Sequence, residues 1–124
     1  MNTEFFNKAK ENLKAAQICF DNGLYNACAN RTYYATLHAA VAALAAQGIS
    51  RERIEHEWVH AEFSDKLVNR KKVYPAHLKS YLRDMQTERN IADYTVDSVS
   101  KKKAQRWLAK AQEMMTSIEK ELKR

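Results

Sequence analysis

The chain has 124 residues, one domain by length and enough to bury a core without disulfide or metal staples. With 45% hydrophobic and 29% charged residues it is neither disordered nor fibrous, and two glycines with one proline leave too little turn material for a short-stranded β fold. A formal charge of +6 favours polyanions such as RNA or nucleotides, or an acidic protein partner.

Residues 1–124 read as a single all-α unit, with no internal repeat, low-complexity tract or linker. Thr3 is placed to cap a first helix with the apolar stripe Phe6, Ala9, Leu13, Ala16 and Phe20, and Gly23 ends it. A second helix is predicted from about Leu24 to Gln47, with Gly48 as its stop, and a third from about Arg51 to Asn69, capped by Ser50. Pro75 suits the first turn of a fourth, which carries Leu78, Leu82, Met85, Arg89 and Ala92 on one face. A fifth begins near Ser98 or Ser100 and carries Ala104, Trp107, Leu108, Ala111, Met115, Ile118 and Leu122. The polar N-terminus, MNTEFFNKAKENL, lacks the apolar core of a signal peptide, and the longest apolar run, Ala39 to Ala46, is too short to span a bilayer. A cytoplasmic protein with no membrane partner is therefore expected, with Cys19 and Cys28 as reduced thiols among apolar helical neighbours.

The second helix is unlike the rest. Between Leu24 and Ser50 its only formally charged residue is Arg31, and alanines crowd every side after it. A helix apolar all round is buried in its own chain or partly covered by another, and small residues suit a bundle centre or a dimer interface. His38 follows Arg31 by seven residues, two helical turns, so both project from one face, with Tyr34 beside them. An unpaired guanidinium is costly to desolvate, so Arg31 needs either a carboxylate such as Asp93 or a watery cleft that takes an anion. Tyr33 points to another face and reads as packing.

HEWVH, from His56 to His60, matches the H-E-x-x-H zinc signature. It has no H-x-x-G-x-x-H continuation, and its histidines share a face with Phe63 and Leu67, so packed histidines and no metal are expected. Lys101 to Lys103 oppose the macrodipole at the start of the last helix. With Asn69 to Lys72 they form a solvated face or a contact for RNA backbone or an acidic partner.

Three stretches carry a family resemblance. NRTYYATLHAAVAAL, Asn30 to Leu44, resembles the central helix of small HEPN-domain proteins (higher eukaryote and prokaryote nucleotide-binding domain), which carry an R-x-x-Y-Y-A-x-x-H type run of variable spacing. HEWVHAEF is similar to that family's H-x-G-V-x-x-x-F through His56, Val59 and Phe63, with Trp58 in place of the glycine. RNIADY resembles its R-x-x-A-D-Y through Arg89, Ala92, Asp93 and Tyr94.

The resemblance implies an up-and-down helical bundle, commonly a homodimer, often encoded beside a small nucleotidyltransferase antitoxin as a toxin–antitoxin pair. Many such proteins are metal-independent endoribonucleases with an R-x(4–6)-H motif. Arg31, Thr32 and His38 match it at the long end of its spacing, although Ala40 stands where some members carry a tyrosine. On this reading Arg31 and His38 are catalytic, no cofactor is needed, and Tyr34, Thr32, Arg89 and Asp93 contact substrate or line its cleft, with core packing the first reading for Tyr34. For Arg89 and Asp93, i and i+4 on the fourth helix, a structural ion pair comes first. Other members are non-catalytic modules that bind a nucleotide or the nucleotidyltransferase, so both functions stay open from sequence.

Overall fold

A computed structural model describes residues 3–124, the side chain of Thr3 excepted, so the cap expected from Thr3 lies outside the described residues. Helices α1 (Thr3–Asp21), α2 (Tyr25–Ala46), α3 (His56–Glu62), α4 (His77–Tyr94) and α5 (Lys101–Leu122) follow in order, and α3 continues as a π-helical segment over Phe63–Arg70. The described residues contain no strand, as an all-α bundle requires.

Both glycines stop helices by the same geometry. Gly23 has φ +73°, its N–H reaches Phe20 O at 3.1 Å, and the Leu24 N–H reaches Cys19 O at 2.8 Å. Gly48 has φ +77°, with its N–H 3.0 Å from Ala45 O and the Ile49 N–H 2.9 Å from Leu44 O. These paired bonds satisfy the last carbonyls of α1 and α2 and require a left-handed residue that glycine adopts without strain.

Helix α2 is the axis of the fold. It packs against α1, α4 and α5, and Ala39, Ala40, Ala42, Ala43 and Leu44 are all buried within the one chain. The alanines that suggested a covering partner are therefore covered by the chain's own helices. Small side chains let those neighbours approach α2 closely, which close packing of the bundle centre needs.

The third helix departs from its predicted bounds. It begins at His56 rather than Arg51, Ser50 is no cap, and Glu55 has extended φ and ψ. Arg51, Glu52 and Arg53 are all exposed and offer no apolar face, while Ile49 and Ile54 both pack on the core. An extended connection buries both isoleucines, which one helical face five residues apart does not. The π winding then turns Phe63, Leu67 and Val68 inward together and closes with the Lys71 N–H 2.9 Å from Lys66 O.

The starts of α4 and α5 fall close to their expected places, although Pro75 stands just outside α4, before the cap residue Ala76, rather than in its first turn. Pro75 O accepts from the Leu78 N–H at 3.1 Å just ahead of α4, and the Ser100 side chain accepts from the Lys103 N–H at 3.1 Å to cap α5. Lys101 to Lys103 are exposed, and Lys103 Nζ lies 3.7 Å from Glu88 Oε1 on α4. Among the described residues no helix is long and apolar enough to cross a membrane.

Candidate functional site

Arg31 and His38 do share one face of α2, and a residue of α1 joins them. Arg31 Nη1 donates to Asn12 Oδ1 at 2.9 Å, and Asn12 Nδ2 lies 3.1 Å from His38 Nδ1. The Arg31 Nε donates to Asn30 Oδ1 at 2.8 Å, and Nη2 donates to the same oxygen. Among the described residues Arg31 makes no salt bridge. Asp93, offered from the sequence as its counter-ion, is engaged elsewhere. Two amide oxygens thus solvate the half-buried guanidinium without neutralising it, and its charge stays available to an anion.

Asp93 instead serves Arg89. Arg89 Nε lies 3.0 Å from Asp93 Oδ2, an ionic contact whose N–H is not aimed at the oxygen, and Asn30 Nδ2 donates to the same Oδ2 at 2.8 Å. Arg89 Nη2 donates to Tyr34 Oη at 3.0 Å and to Tyr94 Oη at 3.2 Å. A continuous polar chain therefore runs from His38 through Asn12, Arg31, Asn30, Asp93 and Arg89 to the two tyrosines, crossing α1, α2 and α4. Tyr34 lies at its centre, with both guanidiniums against its ring, Arg31 at 5.3 Å and Arg89 at 5.4 Å from the centroid.

His38 is half-buried between Phe5 of α1 and Tyr34, with ring centroids at 6.0 and 6.2 Å. Burial, then the positive charges of Lys8 and Arg31 and the neighbouring His56, hold its pKa below the ordinary imidazole value. It is neutral near pH 7, the state in which an imidazole takes up a proton.

Thr32, expected at the cleft, lies in the core at 1% exposure, with its hydroxyl 3.8 Å from Cys28 Sγ. One residue beyond Arg31 is about 100° around the helix, which turns Thr32 toward α4 and α5. Cys28 is buried, and burial raises its thiol pKa, as befits an unreactive packed cysteine.

The HEWVH histidines converge on a hydroxyl. Tyr33 Oη lies 3.1 Å from both His56 Nδ1 and His60 Nε2, so one O–H donates to a ring nitrogen and a ring N–H donates back. Tyr33 is buried as expected, yet its phenol is a hydrogen-bonding hub rather than plain packing. Desolvation pushes that phenol well above its ordinary pKa and lowers His60 to about 4. Trp58, at the family's glycine position, packs partly against the core with Arg51 over its ring at 5.4 Å.

Asn12 was not singled out from sequence, and Asn30 and Tyr94 entered only as parts of the family motifs, with no role in the site. Asn12 had a legible signal: a polar side chain at i+3 from Ala9 and i−4 from Ala16, on the edge of an apolar stripe. Asn30 had none beyond adjacency to Arg31.

Residues 3–122 match the family model described as HEPN domain. The chain is also 34% identical over 119 residues to a Methanocaldococcus jannaschii protein named "Putative toxin MJ0605", covering 93% of this chain and 84% of that one. The family match spans nearly the whole bundle, including the Arg31–His38 face, the HEWVH helix and the Arg89–Asp93 pair. This chain is a member of the HEPN-domain family.

Proposed function

We propose that this protein is the toxin of a toxin–antitoxin-like module, a homodimer that cleaves single-stranded RNA without a metal through Arg31 and His38. Support comes above all from one feature: a half-buried guanidinium with no carboxylate partner among the described residues, tied through one amide to a neutral histidine. In the reaction the 2′-oxygen attacks phosphorus, the 5′-oxygen leaves, and a 2′,3′-cyclic phosphate and a 5′-hydroxyl result. His38 takes the 2′-hydroxyl proton, solvent water supplies a proton to the departing 5′-oxygen, and Arg31 meets the charge that builds on the phosphate oxygens. Tyr34, against which both guanidiniums pack, and Arg89, held by Asp93, stand beside Arg31 as the residues that meet the rest of the substrate. The name of the archaeal relative accords with the toxin role, and a nucleotidyltransferase antitoxin is the partner the family resemblance implies.

The test is cleavage of single-stranded RNA in chelator by wild type, His38→Ala and Arg31→Lys. His38→Ala should abolish cutting in a folded protein by removing the proton-transfer group. Arg31→Lys keeps the charge but loses the planar fork that grips a phosphate, so activity should fall at least about 10-fold, one unit of 1.4 kcal/mol in transition-state binding. Cutting should weaken as salt rises. A folded wild-type protein, separated from any antitoxin, that cuts no RNA would replace this reading with a non-catalytic module for a nucleotide or a nucleotidyltransferase.

A further inference from the structure

Donor–acceptor chemistry assigns hydrogens along the Arg31–Asn12–His38 chain that geometry alone leaves open. A guanidinium only donates, so the Asn12 atom 2.9 Å from Arg31 Nη1 must be the amide oxygen. The amide nitrogen, which also only donates, then faces His38 Nδ1 at 3.1 Å. Nδ1 must accept, and the proton of the neutral ring sits on Nε2. The charged or titratable groups facing His38 are Lys8 of α1, Arg31 of α2 and His56 of α3, with the Phe5 and Tyr34 rings at its sides.

A ring protonated at Nε2 has no lone pair there to take a proton from a 2′-hydroxyl. The base form carries its proton on Nδ1, and that N–H needs an acceptor. The Asn12 oxygen becomes that acceptor if the amide turns over, but turning it presents an NH2 to Arg31, donor against donor. An anion on Arg31 removes that conflict, because the guanidinium then spends its N–H groups on the phosphate.

We propose that Asn12 is a positioning residue that couples His38 to Arg31: with Arg31 empty it holds the His38 proton on Nε2, and with phosphate on Arg31 it turns over and holds that proton on Nδ1. The proton leaves Nε2 to solvent and a second arrives at Nδ1 from solvent, so the ring stays neutral. The inference takes its purpose from the nuclease reading, whereas its geometry stands without it. It makes the base available only when a phosphate is in place.

The test reads the nitrogen-15 shifts of the His38 ring in labelled, folded dimer or monomer, whichever the protein forms. Wild type without ligand should carry its proton on Nε2, and titration with inorganic phosphate should move it to Nδ1. Asn12→Asp supplies a carboxylate that accepts from Arg31 and from His38 together, so that variant should show Nδ1–H with no phosphate added. A wild-type ring already protonated at Nδ1, a tautomer that phosphate leaves unmoved, or an Asn12→Asp ring like wild type would each overturn the coupling. Failure of the nuclease reading looks different: phosphate moves the proton, yet no RNA is cut. RNA cleavage with an unmoved tautomer removes the role of Asn12 and leaves the nuclease.

Discussion

Tyr33 shows how much one hydroxyl can organise. Its oxygen lies 3.1 Å from a ring nitrogen of His56 and from one of His60, and His60 is only 4% exposed. Tyr33→Phe keeps the packed ring and deletes the shared partner, leaving both imidazole nitrogens unpaired in a desolvated place. The expected loss is about 1–3 kcal/mol, read as a lower urea midpoint at unchanged slope. An unchanged midpoint would mean that the hydroxyl contributes nothing. At this scale the sequence was only partly legible. Two turns of helix put Arg31 and His38 on one face whatever else the chain does, so that pairing could be read from spacing. Of the two partners of Arg31, Asn12 could not, because it lies on another helix at long sequence separation, and an asparagine there says little by itself. The Arg89–Asp93 contact was readable because i, i+4 is a local relation. Thr32 went astray by one residue of helical rotation.

Among the elements, α3 carries two of the three histidines whose burial matters, His56 and His60, and α2 carries the third, His38. His38, His56 and His60 are all harder to protonate folded than unfolded, burial being the first cause for each. As pH falls below the ordinary 6.5, the unfolded chain therefore binds more protons than the folded one, and stability falls with pH. For His60 alone, lowered from 6.5 to about 4, the loss across that window is on the order of 3 kcal/mol. Melting temperature should hold near neutrality and drop steadily through this window, with α3 losing amide protection first. A flat profile would contradict the buried, neutral assignment of these rings. The ends of α1 and α2 and the starts of α4 and α5 could be read because glycine, proline and serine stand at or next to them. The start of α3 could not, since burying Ile49 and Ile54 is a tertiary gain that outweighs the helical tendency of the charged residues between them. Nothing in residue type announced the π winding.

For the whole molecule, the assembly question now rests on the surface rather than on the alanines. The chain covers Ala39 to Ala43 itself, but Leu24, Tyr94 and Val96 are exposed at 57%, 72% and 101%. The Val99 N–H donates to Asn26 Oδ1 at 2.8 Å, which brings the α4–α5 connection beside the start of α2, so Leu24 and Val96 belong to one end of the bundle. That end continues through Tyr94, whose hydroxyl accepts from Arg89 Nη2, to the Arg89–Tyr34 hydrogen bond. Sedimentation at micromolar concentration should find a dimer, and Val96→Asp should shift it toward monomer without loss of helicity. A wild-type monomer would contradict the homodimer proposed for this protein.

The central claim is that this cleft breaks RNA with the RNA's own 2′-hydroxyl and with no metal. The most direct measurement offers wild-type protein, in chelator, a single-stranded RNA and the same sequence carrying 2′-O-methyl groups, and identifies the new ends. Cleavage of the first alone, leaving a 2′,3′-cyclic phosphate and a 5′-hydroxyl, is the expected result. Cleavage of both strands, loss of activity with chelator, or no cleavage of either would contradict it.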